Sequence, residues 1–201
     1  DLLTYLLRHW GASPKRIFTR TPKNDGIELA IGLPALHHTL ITKNLSTSDN
    51  IPGKLPRNSR WQALNISAGG MALRKLPAAE AHLHIGDLVG VRISHTTHWA
   101  IGVLRWASHT ENRHLDIGIQ LLAPEAKPIN MQTEDNGAVP LFLLPEIPTL
   151  KQSPSLIGAP GTYGPAKTIE LLLEDGSHQR VMITRLIERT NQFDHFQFSA
   201  V

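Results

Sequence analysis

Cysteine is absent from the 201 residues of this chain. Its absence excludes disulfides, thiolate metal ligands and a cysteine nucleophile, and it makes the cytoplasm the expected compartment. Long apolar runs are missing too, because the longest are far shorter than the roughly 20 residues of a membrane-spanning helix. No segment has the architecture of a signal peptide. We therefore expect no membrane span, and since the chain starts with Asp1 rather than Met we expect further sequence before it.

Aromatic residues are scarce at 5%, and the net charge is only +3. The aromatics do not interleave with basic residues on one face, so we expect no DNA or RNA partner. Trp61, Trp99 and Trp106 lie in predicted strands and are expected in the core. Basic charge is concentrated in the first 25 residues, which predicts a compact anionic partner. The residues concerned are Arg8, Lys15, Arg16, Arg20 and Lys23.

The N-terminal residues have helical spacing followed by a stop. Leucines and Trp10 recur at i, i+3 and i+4, and the sequence Gly-Ala-Ser-Pro follows at 11–14. This pattern predicts a short amphipathic helix over residues 2–10. Prolines and turn residues in 11–26 then predict an extended arm that carries the basic cluster. A free helix of this length is marginal in water, so it must pack on the rest of the chain or on a partner.

Alternating apolar residues from Ile27 onward predict a mainly β fold. Several short antiparallel strands at this spacing are typical of a small β-barrel. Residues 36–58 show little periodicity and predict a long loop of unassigned role. The predicted strands are 27–31, 60–66, 70–76, 87–94, 99–107 and 115–123.

A second β unit is predicted after a polar, proline-containing boundary at 124–137. Its clearest feature is a hairpin in which residues 169–173 and 180–187 flank the turn pair Asp175-Gly176. Further strands are predicted at 141–144, 156–157 and 193–198. The sequence thus divides into a helix at 1–11, a barrel at 12–128 and a C-terminal β domain at 138–201. We expect the last to dock a partner or form homo-oligomers.

Residues 65–70, with the sequence Asn-Ile-Ser-Ala-Gly-Gly, are the first candidate site. Asn65 and Ser67 alternate, so on a strand both side chains point to the same face. Gly69 and Gly70 can adopt positive φ and present successive N–H groups to an anion. Turn formation alone would also account for these residue types. The basic cluster that contains Arg16 and Arg20 favours a binding site.

The two clusters together resemble the PilZ domain family, bacterial β-barrels that bind cyclic di-GMP. The family pattern is Arg-x-x-x-Arg followed by Asp/Asn-x-Ser-x-x-Gly. Its residues here are Arg16, Arg20, Asn65, Ser67 and Gly70. The resemblance covers residues 12–128 and implies a small antiparallel PilZ-like barrel. It also implies a cytoplasmic receptor or effector without enzymatic activity.

The resemblance implies roles for individual residues. Arg16 and Arg20 would clamp one cyclic di-GMP, since arginine binds phosphate bidentately, reads guanine and stacks on bases. Asn65 would form hydrogen bonds with a guanine edge, and Ser67 would form one with a phosphate or a base. Gly69 and Gly70, which have no side chains, would leave space at the base of the pocket. Lys15 would favour a second, stacked ligand. Ligand binding would order the arm and reposition the preceding helix or domain.

Three departures from the family pattern leave a second hypothesis open. The loop at 36–58 is long, the second motif begins with Asn, and an extra β unit follows the barrel. The alternative is a degenerate PilZ-like adaptor that binds protein partners without nucleotide.

Two other kinds of site have partial support in the sequence. Eleven histidines, including His82-x-His84, His95-x-x-His98 and the pair His37-His38, suggest a metal site, but no third and fourth ligands have suitable spacing. We expect no metal and no cofactor. A serine hydrolase built on Ser67 lacks the Gly-x-Ser-x-Gly elbow.

Overall fold

A computed structural model of the chain describes residues 21–22, 25–42, 59–75, 83–94, 96–110, 114–133, 137–148, 151–173 and 175–201. The predicted helix at 2–10 and the arm with Lys15, Arg16 and Arg20 lie outside the described residues. No helix in the described part of the chain is long and apolar enough to cross a bilayer.

The first barrel is a closed ring of six antiparallel strands. Around the ring the order is β2-β5-β6-β7-β4-β3, and β3 pairs with β4 to close it. A two-residue strand, β1, pairs with the far end of β3. The strands are β1 Thr21–Pro22, β2 Gly26–Ile31, β3 Ser59–Ser67, β4 Gly70–Lys75, β5 Leu88–Ile93, β6 Ala100–His109 and β7 Leu115–Ala123.

Alternate residues of these strands fill the interior of the first barrel, and this confirms the predicted mainly β fold. Trp61 is fully buried there, and its indole N–H donates to the Ser59 hydroxyl at 2.7 Å. The other buried interior residues are Ile27, Leu29, Ala63, Met71, Leu73, Val89, Val91, Leu104, Ile117 and Ile119. The opposite face of each strand therefore points outward.

Helix α1, Leu33–Thr42, occupies part of the segment that was predicted to be a loop. The loop prediction was wrong for residues 36–42; residues 43–58 lie outside the described range. Leu33, Leu36 and Leu40 have helical spacing and are buried. Pro34 lies in the first turn, where a missing N–H costs nothing. A side chain at Gly90 would meet Leu36 at 2.2 Å, so this glycine lets α1 pack closely on β5.

The second barrel is also closed and antiparallel, in the order β10-β13-β12-β11-β8-β9. Its first strand, β8, lies in the interval that the sequence indicated as a polar boundary. Proline at 128 and polar neighbours concealed it, because they interrupt the alternation on which strand prediction depends. The strands are β8 Lys127–Gln132, β9 Ala138–Leu144, β10 Ser155–Gly158, β11 Thr168–Leu172, β12 His178–Arg189 and β13 Asp194–Ala200.

The two barrels share one buried apolar cluster, with α1 between them. The helix contributes Leu36, the first barrel Trp99 and Ile101, and the second barrel Phe142 and Phe193. Across the same junction His37 on α1 bonds through Nε2 to the carbonyl oxygen of Ile129 at 3.0 Å. This apolar contact fixes the barrels against each other. The predicted division at 1–11, 12–128 and 138–201 stays a prediction.

Candidate functional site

The Asn65–Gly70 motif is a hairpin on the outer face of the first barrel. Strand β3 ends at Ser67, Ala68 and Gly69 form the turn, and β4 starts at Gly70. Ile66 packs against the barrel interior. Asn65 and Ser67 therefore point outward together, as the alternation requires. A register shift between Ala63 and Asn65 sets this orientation.

Gly70 has a steric role in the barrel, while its predicted part in ligand binding stays a prediction. Neither Gly69 nor Gly70 adopts positive φ, so neither uses the left-handed conformation that glycine allows. Instead, a Cβ at Gly70 would lie 2.3 Å from the carbonyl oxygen of Ile119 on β7. The Ser67 hydroxyl donates to the Gly70 carbonyl at 3.0 Å, and the Leu121 amide donates to the Gly69 carbonyl at 3.1 Å. Glycine at 70 thus lets β4 approach β7 closely beside the motif.

Strand β1 brings the end of the predicted arm to the motif. Thr21 pairs with Ile66 and Pro22 with Asn65. Arg20, which immediately precedes Thr21 in the sequence, lies outside the described residues together with Arg16 and Lys15. Of the predicted site residues, the structure describes Asn65, Ser67, Gly69 and Gly70, and these lie together on one hairpin.

A β-bulge in β6 adds two outward side chains that the sequence did not reveal. The register shifts between Leu104 and Trp106, and Leu104 points into the barrel. Arg105 and Trp106 both lie on the outer face as a result. Trp106 is 39% exposed, so its expected place in the core is wrong. Trp61 and Trp99 are buried as predicted, although Trp99 lies just before β6 rather than in it.

Trp106 covers the backbone of Gly118. A Cβ at Gly118 would lie 1.8 Å from the indole Nε1, so the ring occupies the space of the missing side chain. The cross-strand register runs from Asn65 through Ala72 and Gly118 to Trp106. Two strand spacings, about 10 Å, therefore separate Asn65 from Gly118 across small residues. The sequence signal for this arrangement was a tryptophan and a glycine, Trp106 and Gly118, on two consecutive predicted strands.

Two charged contacts flank this surface. Arg74 donates from Nε and Nη2 to both carboxylate oxygens of Asp116, each at 2.8 Å. The hydrogen bond from Arg74 holds the pKa of Asp116 below its usual value. On the other side Arg105 donates to Gln120 and to Glu188 of the second barrel. The surface around Asn65 and Ser67 is thus bordered by positioned guanidinium groups.

A separate cleft of about 180 Å³ lies where the second barrel meets the end of β7. Its walls include Leu122, Lys151 and Arg185. His195 borders it and is buried, with Nε2 2.9 Å from the Ser155 hydroxyl and no partner for Nδ1. Burial lowers the pKa of His195 to about 4. Among the predicted site residues that the structure describes, Asn65, Ser67, Gly69 and Gly70, none lines this cleft.

The described residues contain no group of three His, Asp or Glu side chains arranged to hold a metal ion. His82 and His95 are outside the described part of the chain. The expectation of no metal therefore stays a prediction.

The described residues form two six-stranded antiparallel barrels. The first barrel carries the Asn-x-Ser-x-x-Gly hairpin on its outer face. Residues 41–128 match the family model described as the middle PilZ domain of the cyclic-di-GMP receptor FimW. Residues 125–201 match the model described as the FimW C-terminal β-barrel domain. Together the two matches span residues 41–201, and the first of them is to a PilZ domain. The first match includes the hairpin but not Arg16 and Arg20.

A curated relative covers nearly the whole chain. The protein named "Cyclic-di-GMP receptor FimW" from Pseudomonas aeruginosa is 23% identical over 98% of this chain and 44% of its own length. The chain therefore spans less than half of that relative. A solved structure titled "MrkH, A novel c-di-GMP dependence transcription regulatory factor" aligns over 95% of this chain and 91% of that chain at 9% identity. Its TM-score of 0.29 is too low to support any conclusion.

Proposed function

We propose that this chain is a cyclic di-GMP receptor domain that binds the nucleotide on the outer face of the first barrel. The observation that carries the proposal is the pairing of Thr21 with Ile66. Consecutive Cα atoms are about 3.8 Å apart and Arg20 directly precedes Thr21 in the sequence, so the chain length lets Arg20 reach the Asn65–Gly70 hairpin. Arg16 is five residues from Thr21, within roughly 17 Å along a fully extended chain. Both arginines of the motif can therefore reach the hairpin.

The chemistry of the surface fits this ligand. Cyclic di-GMP carries two phosphodiesters and two guanines. Arg16 and Arg20 would bind phosphate or the O6 and N7 atoms of guanine. The amide of Asn65 and the hydroxyl of Ser67 supply neutral donors and acceptors on one face. At the end of the same cross-strand row, Trp106 covers Gly118 and is 39% exposed, so part of its surface is available to a base.

The arginines give the first test, by calorimetric titration of cyclic di-GMP into the wild-type chain and into Arg16→Ala and Arg20→Ala. Each arginine makes charge-assisted bonds worth about 1.5–3 kcal/mol, so each variant should bind roughly ten to a hundred times more weakly. Arg180→Ala removes the same charge from β12 of the second barrel, outside the motif and the basic cluster, and should bind like the wild type. A folded wild-type chain that does not bind would favour the adaptor hypothesis. A stoichiometry of two would support the proposed role of Lys15.

Trp106 gives a second test. Stacking of a base on an aromatic ring contributes about 1–3 kcal/mol, so Trp106→Ala should weaken binding of cyclic di-GMP about tenfold or more. Trp106→Phe keeps an aromatic face and should retain most of the affinity. Equal affinity of the alanine variant and the wild type in the same titration would show that no base stacks on this ring.

Ligand binding is proposed to alter residues 11–20 and, through them, the preceding residues 2–10. The support is the direct covalent connection between the arm and the predicted helix, together with the anchor at Thr21. Limited proteolysis at sites in 1–20 should therefore change when cyclic di-GMP is added. Identical cleavage with and without ligand, at saturating nucleotide, would contradict this transmission.

A further inference from the structure

Arg105 lies at the boundary between the proposed nucleotide surface and the second barrel. Its Nε donates to the Gln120 side-chain oxygen at 2.7 Å, and its Nη2 donates to one carboxylate oxygen of Glu188 at 2.9 Å. Nη1 donates to the other oxygen of the same carboxylate. Three hydrogen bonds thus hold the guanidinium between Gln120 and Glu188.

The position of Arg105 follows from the β-sheet register. Gln120 on β7 is the cross-strand partner of Gly70, and Gly70 is the partner of Ser67. The group that Arg105 contacts is therefore one strand away from the Asn65–Gly70 hairpin. A ligand that lies on the hairpin and extends toward Trp106 meets Arg105 on the way, because the bulge places residues 105 and 106 on the same face.

The ion pair between Arg105 and Glu188 does not hold the two barrels together. The two side chains are 37% and 22% exposed, and exposed pairs contribute little net stability. The shared apolar cluster around Leu36 and Phe142 fixes the barrels instead. Because Glu188 sits on a fixed barrel, the consequence of the pair is to orient Arg105.

These contacts also leave some N–H donors of the guanidinium unused. Arginine has five N–H donors, and three are used by Gln120 and Glu188. Two donors and the faces of the planar group remain available for a phosphate or a guanine. A held arginine loses less conformational freedom on binding than a free one.

We propose that Arg105 is a further nucleotide-binding arginine and that Glu188 of the second barrel is its positioning residue, so that both barrels build the site. This inference rests on the proposed function, since it takes cyclic di-GMP as the ligand. The second barrel is then a structural part of the receptor site rather than a separate docking module.

The test is a double-mutant cycle with cyclic di-GMP as the probe and the full 201-residue chain as the protein. Arg105→Ala should weaken binding about tenfold, the size of one charge-assisted contact. Glu188→Gln should weaken it about threefold, because the arginine stays charged but is less well oriented. In the Arg105→Ala background, Glu188→Gln should have no further effect, since Glu188 acts through Arg105.

Arg180→Ala is the matched control, because it removes an exposed arginine from β12 at the far end of the second barrel. It should bind like the wild type, and all variants should melt within a few degrees of it. Unchanged affinity of Arg105→Ala, or an equal effect of Glu188→Gln in both backgrounds, would overturn the inference while leaving the receptor function intact. Absence of binding to the wild-type chain would instead overturn the proposed function itself.

Discussion

Gly70→Ala is expected to lower the free energy of unfolding by about 1–3 kcal/mol, the range for forced overpacking. The added Cβ would lie 2.3 Å from the carbonyl oxygen of Ile119, a backbone atom that cannot rotate away. Relief requires β4 and β7 to separate where Gly70 pairs with Gln120. Urea unfolding followed by tryptophan fluorescence measures the effect in the first barrel, where Trp61, Trp99 and Trp106 lie.

Gly164→Ala is the matched control for adding one methyl group. A Cβ there would meet its nearest neighbour, Lys167, at an ordinary 3.5 Å. Alanine also restricts the unfolded chain, so this variant should be as stable as the wild type or slightly more stable. If Gly70→Ala matches Gly164→Ala in stability, the close approach of β4 and β7 is not the reason for glycine at 70.

Strand positions in this chain could be predicted from the sequence because one face of each strand is buried. Val89 and Val91 alternate into the first barrel, and Ile169 and Leu171 do so in the second. Helix α1 has only ten residues, so the helical spacing of Leu33, Leu36 and Leu40 is a weak local signal, and these side chains are buried at the junction of the two barrels. Strand β8 was missed for another reason, because Pro128 and polar neighbours interrupt its alternation.

The candidate site was predictable only in part. Asn65 and Ser67 could be placed on one face because the side-chain period of a strand is two. Trp106 and Arg105 could not, since a single inserted residue at the bulge reverses the alternation that the sequence suggests. The steric constraint on Gly70 was not predictable for a related reason. Its constraint comes from Ile119, a residue 49 positions away that only the closed barrel brings near.

Histidine at 195 is expected to make the stability of the second barrel depend on pH in a range where carboxylates stay charged. Burial lowers the pKa of His195 to about 4, whereas an unfolded chain binds this proton near pH 6.5. Between these values the unfolded state holds more protons than the folded state, so stability falls as the pH falls. Glu188 opposes this effect by favouring the charged imidazole. Lys151 and Arg185, which line the same cleft, add positive charge nearby.

Lowering the pH from 7 to 5 should therefore remove about 2 kcal/mol of unfolding free energy through His195 alone. His195→Gln keeps a polar atom near Nε2 for the Ser155 hydroxyl but cannot bind a proton in this range. The variant should lose about 2 kcal/mol less than the wild type between the two pH values, as measured by urea unfolding followed by circular dichroism. Burial also lowers the pKa of His37, but that residue is present in both proteins and cancels in the comparison. The same pH difference in His195→Gln as in the wild type would show that His195 takes up its proton in the folded state.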